Sequence, residues 1–391
     1  MRTSLIAFVI ASFTCALFIG QASPVHALSV ELKQPIETKA AKAYLIEAST
    51  GTVLLAKKDT ETFAPASLAK LMTLEVVFDA VSRGEISLET AYPVSEFAWR
   101  TGGAPSRTAT MFAALKSEVP VADLIRGIAV QTANDGCLII AEGMSGSEAR
   151  FVERMNRRAT ELGLTGSQFA NATGLPHPEN RSTPRDLVTL AKHLHSRYPD
   201  LYETFRQPEF EWNKILQRNR NPLLSMGADG LGTGFAEGDG YALVASIERN
   251  GRRLFLAISG LATDKERTEE AMKLLNWGLD GFEMRTLFKS GEVIADASVY
   301  GGAQSTVPLK ANAPVEVYVP INNPDRLQAK ITYAWPLRPP VAAEQAIGSL
   351  AVFSGERPLL TVPLYANAPV GQGTLRQRAL DAVLEALFFW L

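Results

Sequence analysis

The segment PASLAK places Ser67 three residues before Lys70, directly after Pro65 at the predicted start of a helix. On a helix this spacing puts both side chains on one face, with roughly 5–6 Å between their Cβ atoms. A serine hydroxyl becomes a nucleophile when a base takes its proton, and a desolvated lysine with a lowered pKa can be that base. The pair predicts acyl-transfer chemistry, although the spacing alone also occurs by chance.

Two further polar segments follow and strengthen this prediction. Q-T-A-N-D, at 131–135, lies between two predicted helices, and D-G-L-G-T-G, at 229–234, lies on a predicted strand. In this order the three segments resemble the serine penicillin-recognising enzymes. The closer match is the low-molecular-mass penicillin-binding proteins of the D-alanyl-D-alanine carboxypeptidase type (peptidase S11-like). FANATGL, RSTPRDL and GYALVASIERNGRR also resemble this family, and the resemblance runs from about residue 40 to 370.

The resemblance implies an acyl-enzyme mechanism. Ser67 would attack the carbonyl of the penultimate D-Ala of a peptidoglycan stem peptide, Lys70 would take its proton, and the terminal D-Ala would leave. Thr132 would relay protons through its hydroxyl, and Asn134 would hydrogen-bond the substrate amide. The family uses no cofactor, and β-lactams would be its inhibitors.

The resemblance also assigns substrate-binding roles. The backbone at Thr233, Gly234 and Phe235 would bind the substrate, and the oxyanion would lie between the N–H groups of Ser67 and Phe235. Arg220 and Arg267 match family arginines near the site, and a guanidinium fork suits a terminal carboxylate. For each arginine a surface salt bridge is an equally good interpretation.

Two positions depart from the family pattern. The second motif begins with Thr132 instead of serine, which keeps the hydroxyl and adds a methyl group. The third begins with Gly232 instead of lysine, which removes a cation. This loss leaves open a weakly active or non-catalytic peptidoglycan-binding protein. A β-lactamase is a further alternative, but no Glu-x-x-Leu-Asn segment supplies a deacylating base in the helical region.

Sequence periodicity predicts the elements that position these segments. Residues 43–58 are predicted as two strands, 65–84 as a helix and 88–225 as mostly helical. Asn250-Gly251 predicts a β-hairpin, and the glycine-rich stretch 227–240 predicts an adjoining edge strand beside the nucleophile. The family fold is α/β, the penicillin-binding-protein and β-lactamase-like transpeptidase fold, with an antiparallel sheet flanked by helices and a mostly helical subdomain.

The predicted domain boundaries follow from changes in composition. Residues 1–27 have the features of a secretory signal peptide rather than a membrane span, because the apolar run is short of the roughly 20 residues that a span needs. Residues 28–283 would form the catalytic domain and 284–371 a small β-sandwich-like domain. Residues 372–391 are predicted as an amphipathic helix, interpreted as an in-plane membrane anchor, with a core helix as the alternative. The protein would then be exported and attached to the periplasmic face of the cytoplasmic membrane.

Composition excludes several other classes. The net charge of -2 gives no indication of nucleic-acid binding. After removal of the signal, Cys137 is the single cysteine and is predicted as a buried small apolar residue. His193 and His195 are two residues apart on a helix and are predicted at the surface, so no metal site is expected.

Overall fold

The computed structural model describes residues 36–321, 327–379 and 381. The predicted signal peptide and most of the predicted tail helix lie outside the described residues.

Sixteen strands and eight α-helices are assigned within the described part of the chain. The strands are β1 (Lys42–Glu47), β2 (Val53–Lys57), β3 (Ala91–Pro93), β4 (Glu118–Pro120), β5 (Glu209–Trp212), β6 (Ile215–Arg218), β7 (Ala228–Ala236), β8 (Gly240–Arg249), β9 (Arg252–Leu261), β10 (Phe282–Phe288), β11 (Val293–Ser298), β12 (Thr306–Lys310), β13 (Val315–Pro320), β14 (Leu327–Tyr333), β15 (Ala346–Ser354) and β16 (Arg357–Ala366). The helices are α1 (Lys70–Ser82), α2 (Glu96–Thr101), α3 (Val121–Gln131), α4 (Asn134–Ser145), α5 (Glu148–Glu161), α6 (Pro184–Arg197), α7 (Pro199–Tyr202) and α8 (Asp264–Asp280).

A five-stranded antiparallel sheet forms the centre of the catalytic part, in the order β2-β1-β9-β8-β7. The predicted hairpin is confirmed: Asn250 and Gly251 connect β8 to β9 with φ angles of 55° and 75°. Positive φ at both central residues is the geometry that Asn-Gly favours. The glycine-rich stretch forms β7, which is the edge strand next to β8, as predicted.

Helices cover both faces of this sheet. On one face α1, α3, α4, α5 and α6 share a large apolar core with inward-facing residues of β8 and β9, and this core includes the buried Cys137. On the other face α8 packs Leu274 and Leu275 against Leu243 and Leu256 of the sheet. The predicted α/β architecture, an antiparallel sheet flanked by helices, is therefore confirmed, with β7 at the edge that adjoins the helical part.

Three details differ from the sequence predictions. Ser67 lies in a 3-10 turn, Ala66–Ala69, and the α-helix itself begins at Lys70. Residues 209–218, predicted as part of the helical region, form the β5–β6 hairpin. His195 is half-buried rather than at the surface, with its ring edge-on to Tyr202 and Phe255 at centroid distances of 5.0 and 5.9 Å; His193 is also half-buried.

The segment after α8 is all-β. A five-stranded sheet in the order β11-β12-β16-β15-β14 and a two-stranded sheet of β10 and β13 share buried residues such as Val315, Leu309 and Leu350. This agrees with the predicted small β domain. Helical residues resume at 375–379, and the rest of the predicted amphipathic helix is outside the described residues. Among the residues described, none of the helices has the length and apolar character required to span a membrane.

Candidate active site

Ser67 and Lys70 lie within hydrogen-bonding distance at the junction of the 3-10 turn and α1. The Lys70 Nζ donates to the Ser67 Oγ at 3.2 Å and to the carbonyl oxygen of Thr173 at 2.5 Å. Lys70 is 3% exposed, so its ammonium has lost nearly all contact with water. When Nζ is neutral it keeps two hydrogens and gains a lone pair, so it can still donate to Thr173 while it accepts the proton of Ser67.

Burial shifts the pKa values of Lys70 and of the neighbouring Cys137 thiol. It lowers the pKa of Lys70 from 10.5 to about 8, and the neighbouring Cys137 thiol opposes this shift slightly. Burial raises the pKa of Cys137 to about 12, so the thiol stays neutral and does not compete as a nucleophile. Lys70 therefore has the pKa that a general base working near neutral pH requires.

The segment that holds Thr173 is fixed by local hydrogen bonds. The Asn171 Oδ1 accepts from the Thr173 hydroxyl at 3.1 Å and from the Gly174 N–H at 2.7 Å. Gly174 has a φ of 73°, and a Cβ built there would collide with the carbonyl oxygen of Ala66. Ala66 itself has a φ of 48°. This close backbone contact places the turn that carries Ser67 next to Thr173, whose carbonyl oxygen accepts the hydrogen bond from Lys70.

Thr132 and Asn134 lie at the junction between α3 and α4. Thr132 ends α3 in the left-handed conformation, with a φ of 58°, and Asn134 begins α4. The first turn of α4 also carries Cys137, which lies in the same buried core as residues of α1. The Asn134 Nδ2 donates to the Thr108 hydroxyl at 2.9 Å, whereas its buried Oδ1 has no partner within the described chain. This Oδ1 is therefore a buried acceptor without a hydrogen-bond partner in the described part of the chain, and it is closed to solvent in this structure.

The loop in front of α4 is anchored by Asp135, which is fully buried. Its carboxylate accepts from the Thr110 hydroxyl at 2.6 Å, the Met111 N–H at 2.9 Å and the Ala113 N–H at 3.1 Å. Burial raises the pKa of Asp135, and these hydrogen bonds oppose that rise. Asp135 thereby fixes the loop that carries Thr108, the partner of Asn134.

β7 passes directly beside the turn that carries Ser67. A Cβ at Gly234 would lie 2.7 Å from the carbonyl oxygen of Pro65, so glycine is needed for this approach. At Gly232 a Cβ would make an ordinary van der Waals contact with the Leu68 Cδ2, at 3.6 Å, so the backbone here does not require glycine for lack of space. Phe235 is 57% exposed, and its ring packs on Tyr241 at 4.6 Å.

The two candidate arginines differ in burial and in their partners. Arg267, on α8, is 5% exposed, pairs with Asp264 and lies over the Tyr241 ring at 5.8 Å. Burial lowers the pKa of Arg267, and its buried Nε has no hydrogen-bond partner in the described part of the chain. Arg220 is exposed, and its Nε donates to the Gln131 Oε1 at 3.4 Å, next to Thr132. The exposed guanidinium of Arg220 has N–H groups that an anion can reach, whereas that of Arg267 is buried.

The arrangement combines a serine, a buried lysine within hydrogen-bonding distance and a strand edge beside them, which are the groups that acyl transfer to serine requires. The sequence profile described as D-alanyl-D-alanine carboxypeptidase, peptidase S11, matches residues 29–263, which is more than half of the chain. The chain belongs to this family. The profile of the penicillin-binding protein 5 C-terminal domain matches residues 282–372 of this carboxypeptidase.

Relatives that are named D-alanyl-D-alanine carboxypeptidases align with most of this chain. D-alanyl-D-alanine carboxypeptidase DacC of Escherichia coli is 34% identical over 88% of this chain and 88% of its own. The DacA protein of Haemophilus influenzae is 32% identical over 89% of each chain. Among solved structures, penicillin-binding protein 5 of Haemophilus influenzae has a TM-score of 0.73 at 32% identity, covering 86% of this chain and 99% of that one. The chain is therefore a serine-type peptidase of this fold.

Several contacts of the carboxypeptidase site were missed by sequence reasoning. The acceptor of Lys70 is a backbone carbonyl, that of Thr173, and a carbonyl has no signature in the sequence. Asp135 adjoins Asn134 in the second motif, and its buried position could have been inferred only from the apolar run that follows. Gly174 lies in the quoted segment FANATGL, where a glycine with positive φ was the available signal.

Proposed function

We propose that this carboxypeptidase removes the terminal D-alanine from peptidoglycan pentapeptide stems through an acyl-enzyme on Ser67. The observation that carries the proposal is the buried Lys70, with its pKa lowered to about 8, at 3.2 Å from the Ser67 hydroxyl. Burying a charged lysine destabilises a folded protein. A buried lysine with a shifted pKa beside a serine is therefore a candidate for a functional base.

In the acylation step the Ser67 Oγ attacks the carbonyl carbon of the penultimate D-Ala, and its proton passes to the Lys70 Nζ. The N–H groups of Ser67 and Phe235 stabilise the oxyanion of the tetrahedral intermediate. The peptide C–N bond then breaks, and the proton held by Lys70 reaches the leaving amine through the Thr132 hydroxyl. Free D-alanine departs, and an ester links the shortened peptide to Ser67.

Deacylation reverses these proton transfers. A water molecule gives a proton to Lys70 and attacks the ester carbonyl, and the C–O bond to Ser67 breaks as the serine recovers its proton. A penicillin enters the same sequence through its lactam carbonyl. Attack there breaks the strained C–N bond of the ring, but the amine stays tethered to the acyl group. The penicilloyl ester therefore persists longer than the peptidyl ester.

Substrate orientation follows from the remaining groups of the site. Asn134 hydrogen-bonds the substrate amide, which requires its side chain to turn out of the buried position it has here, and the backbone of β7 pairs with the substrate as an added strand. The terminal carboxylate lies near the Thr233 hydroxyl and within the field of Arg267 and Arg220. These arginines supply positive potential that the family pattern takes in part from a lysine at position 232.

The proposal is tested by locating the penicillin adduct. The protein is incubated with a fluorescent penicillin and digested with trypsin, and mass spectrometry is expected to find the adduct on Ser67 within the peptide of residues 59–70. A coupled assay is expected to detect D-alanine released from a synthetic pentapeptide. Absence of both signals, or an adduct on another residue, would contradict the proposal.

Export and membrane attachment are part of the same proposal, supported by the composition of residues 1–27 and 372–391. We expect that deleting residues 375–391 moves the protein from the membrane pellet to the soluble periplasmic fraction, because an in-plane helix binds through its buried apolar face. Penicillin binding should be retained, since the deleted residues lie outside the catalytic part. If the shortened protein still sediments with membranes, the tail is not the anchor.

A further inference from the structure

A cleft of about 600 Å³ opens next to Ser67, between the loop 174–180 and the end of β7. It is bordered by the backbone around Ala66, which precedes the nucleophile, and by Phe235, the proposed oxyanion donor. None of the roles assigned so far uses it. Its lining residues are Ala64, Ala66, Gly174, Leu175, Pro176, His177, Pro178, Asn180, Phe235, Ala236 and Glu237.

Hydrogen bonds hold both walls of this cleft in place. Asn180 is 5% exposed; its Nδ2 donates to the Leu175 carbonyl at 3.0 Å, and its Oδ1 accepts from the Ala170 N–H at 2.7 Å. On the opposite wall the Asp239 carboxylate accepts from the Ala64 N–H at 2.9 Å, which ties the turn after β7 to the segment before Ser67. The cleft is therefore pre-formed, and it can bind a side chain without first ordering its walls.

The proposed function fixes which part of the substrate reaches the cleft, and the inference rests on it. The carbonyl under attack lies at Ser67 and Phe235, and the terminal carboxylate lies on the Thr233 side. A substrate paired with β7 advances about 3.4 Å per residue. The residue before the D-Ala-D-Ala pair then lies beyond Phe235, next to Ala236 and Glu237. Its side chain is the part of the stem peptide that can enter the cleft.

The chemistry of the walls indicates which side chain fits. Leu175, Pro176 and the exposed ring of Phe235 offer apolar surface to a methylene chain. Glu237 is exposed at the rim and is the acidic residue of the lining, in which no lysine or arginine occurs among the described residues. A long aliphatic chain that ends in a cation can bury its stem on such a surface and leave its charged end at the carboxylate.

We propose that this cleft is the subsite for the residue preceding D-Ala-D-Ala, and that Glu237 selects a side chain ending in a primary amine, as in lysine and other diamino acids. Glu237 acts here as a specificity residue and takes no part in the proton transfers. His177, on the opposite wall, is the second titratable group that faces the bound side chain, and the apolar residues between them receive its methylene groups.

The test compares two pentapeptides that differ only at the third residue, lysine in one and Nε-acetyl-lysine in the other. Acetylation keeps the methylene chain and removes the charge. The wild-type kcat/KM for D-alanine release is expected to favour the lysine peptide roughly two- to fivefold, the range of an exposed ion pair. Glu237→Gln should abolish this preference while leaving release from the acetylated peptide unchanged. Higher salt should reduce the wild-type preference.

Glu179→Gln is the matched control, because Glu179 is an exposed acid on the same loop whose side chain does not line the cleft. It should keep the wild-type preference. Equilibrium binding of both peptides to Ser67→Ala, measured by calorimetry, tests the subsite without turnover. Equal wild-type affinities, or a preference that survives Glu237→Gln, would overturn the subsite. A Glu237-dependent preference in binding without any turnover or penicillin adduct would keep the subsite and reject the proposed reaction.

Discussion

Replacing Lys70 with methionine is expected to lower the second-order rate constant for acylation by penicillin roughly 10²- to 10⁴-fold, the usual contribution of a positioned general base. Methionine has a similar length and lies in the same buried space, but it cannot accept the Ser67 proton. The rate is measured by stopped reactions with a fluorescent penicillin, followed by gel quantification of the adduct.

The wild-type pH profile is the second readout of this prediction. The pKa of Lys70 is lowered to about 8 by burial, so at pH 6 nearly all molecules carry the protonated, inactive lysine. The acylation rate is expected to rise with pH as the neutral fraction grows, and to level off above a pH of about 8. A residual rate in Lys70→Met should lack this rise, because the group that titrates is gone.

The thermal stability of Lys70→Met shows whether a slower acylation comes from the lost base or from unfolding. The folded-state pKa of Lys70 lies below its unfolded value of 10.5, so below a pH of about 8 the protonated lysine destabilises the folded protein by its full desolvation cost. Methionine removes that cost but leaves the Thr173 carbonyl without its hydrogen bond. The two effects oppose each other, and the thermal midpoint at pH 7 should stay within a few degrees of wild type.

Lys58→Ala is the matched control, since Lys58 is an exposed lysine in the same segment that pairs with Glu61. It should acylate at the wild-type rate. Two results would contradict the assignment of Lys70 as the base: a Lys70→Met protein that acylates within a few-fold of wild type, or a wild-type rate without an inflection near pH 8.

Sequence patterns predicted those parts of the fold that depend on local signals. Asn250-Gly251 predicted the β8–β9 hairpin because both residues tolerate positive φ. The β5–β6 hairpin at 209–218 was missed because its turn residues, Asn213 and Lys214, also adopt positive φ but do not form a recognised turn pair. Within the region 88–225, predicted as mostly helical, the segment 186–205 is not one continuous helix: α6 ends at Arg197, because Pro199 follows and starts the short α7.

Motif spacing identifies the candidate site residues but does not predict their geometry. Ser67, Lys70 and Asn134 follow from motif spacing, but the lowered pKa of Lys70 depends on burial by distant segments. The 3-10 turn at Ser67 depends on the contact between Gly174 and Ala66, which are more than a hundred residues apart. Such long-range contacts have no local signal, since they arise only when the helical part closes on β7.

Gly232→Lys is expected to raise the rate constant for acylation by penicillin roughly 10- to 100-fold, the effect of one added hydrogen bond to a charged group. The lysine would place its ammonium beside the substrate carboxylate and near the Thr132 hydroxyl. The backbone accepts a side chain here: Gly232 lies in β7 without positive φ, and a Cβ would make an ordinary contact with Leu68 Cδ2, at 3.6 Å. The fold should not be destabilised, because glycine is itself unfavourable within a strand.

The penicillin carboxylate provides an internal comparison for this variant. If the new lysine acts on that carboxylate, the gain should nearly vanish with a penicillin methyl ester, whose carboxylate is masked. Gly371→Lys is the matched control, because Gly371 is exposed, has open space around its Cβ and lies in the β domain. It adds the same charge to the protein and should leave the rate unchanged.

The effect of Gly232→Lys on the acylation rate shows whether the wild-type site lacks a cation at position 232. A rise in rate would show that the wild-type site lacks a cation and works below the family's capacity. An unchanged rate would contradict the prediction and indicate that Arg220 or Arg267 already supplies the positive potential. In that case Arg220→Gln and Arg267→Gln, each combined with Gly232→Lys, identify the substitute. The arginine whose loss is rescued by the lysine is the one that replaces it, because the two charges then serve the same carboxylate.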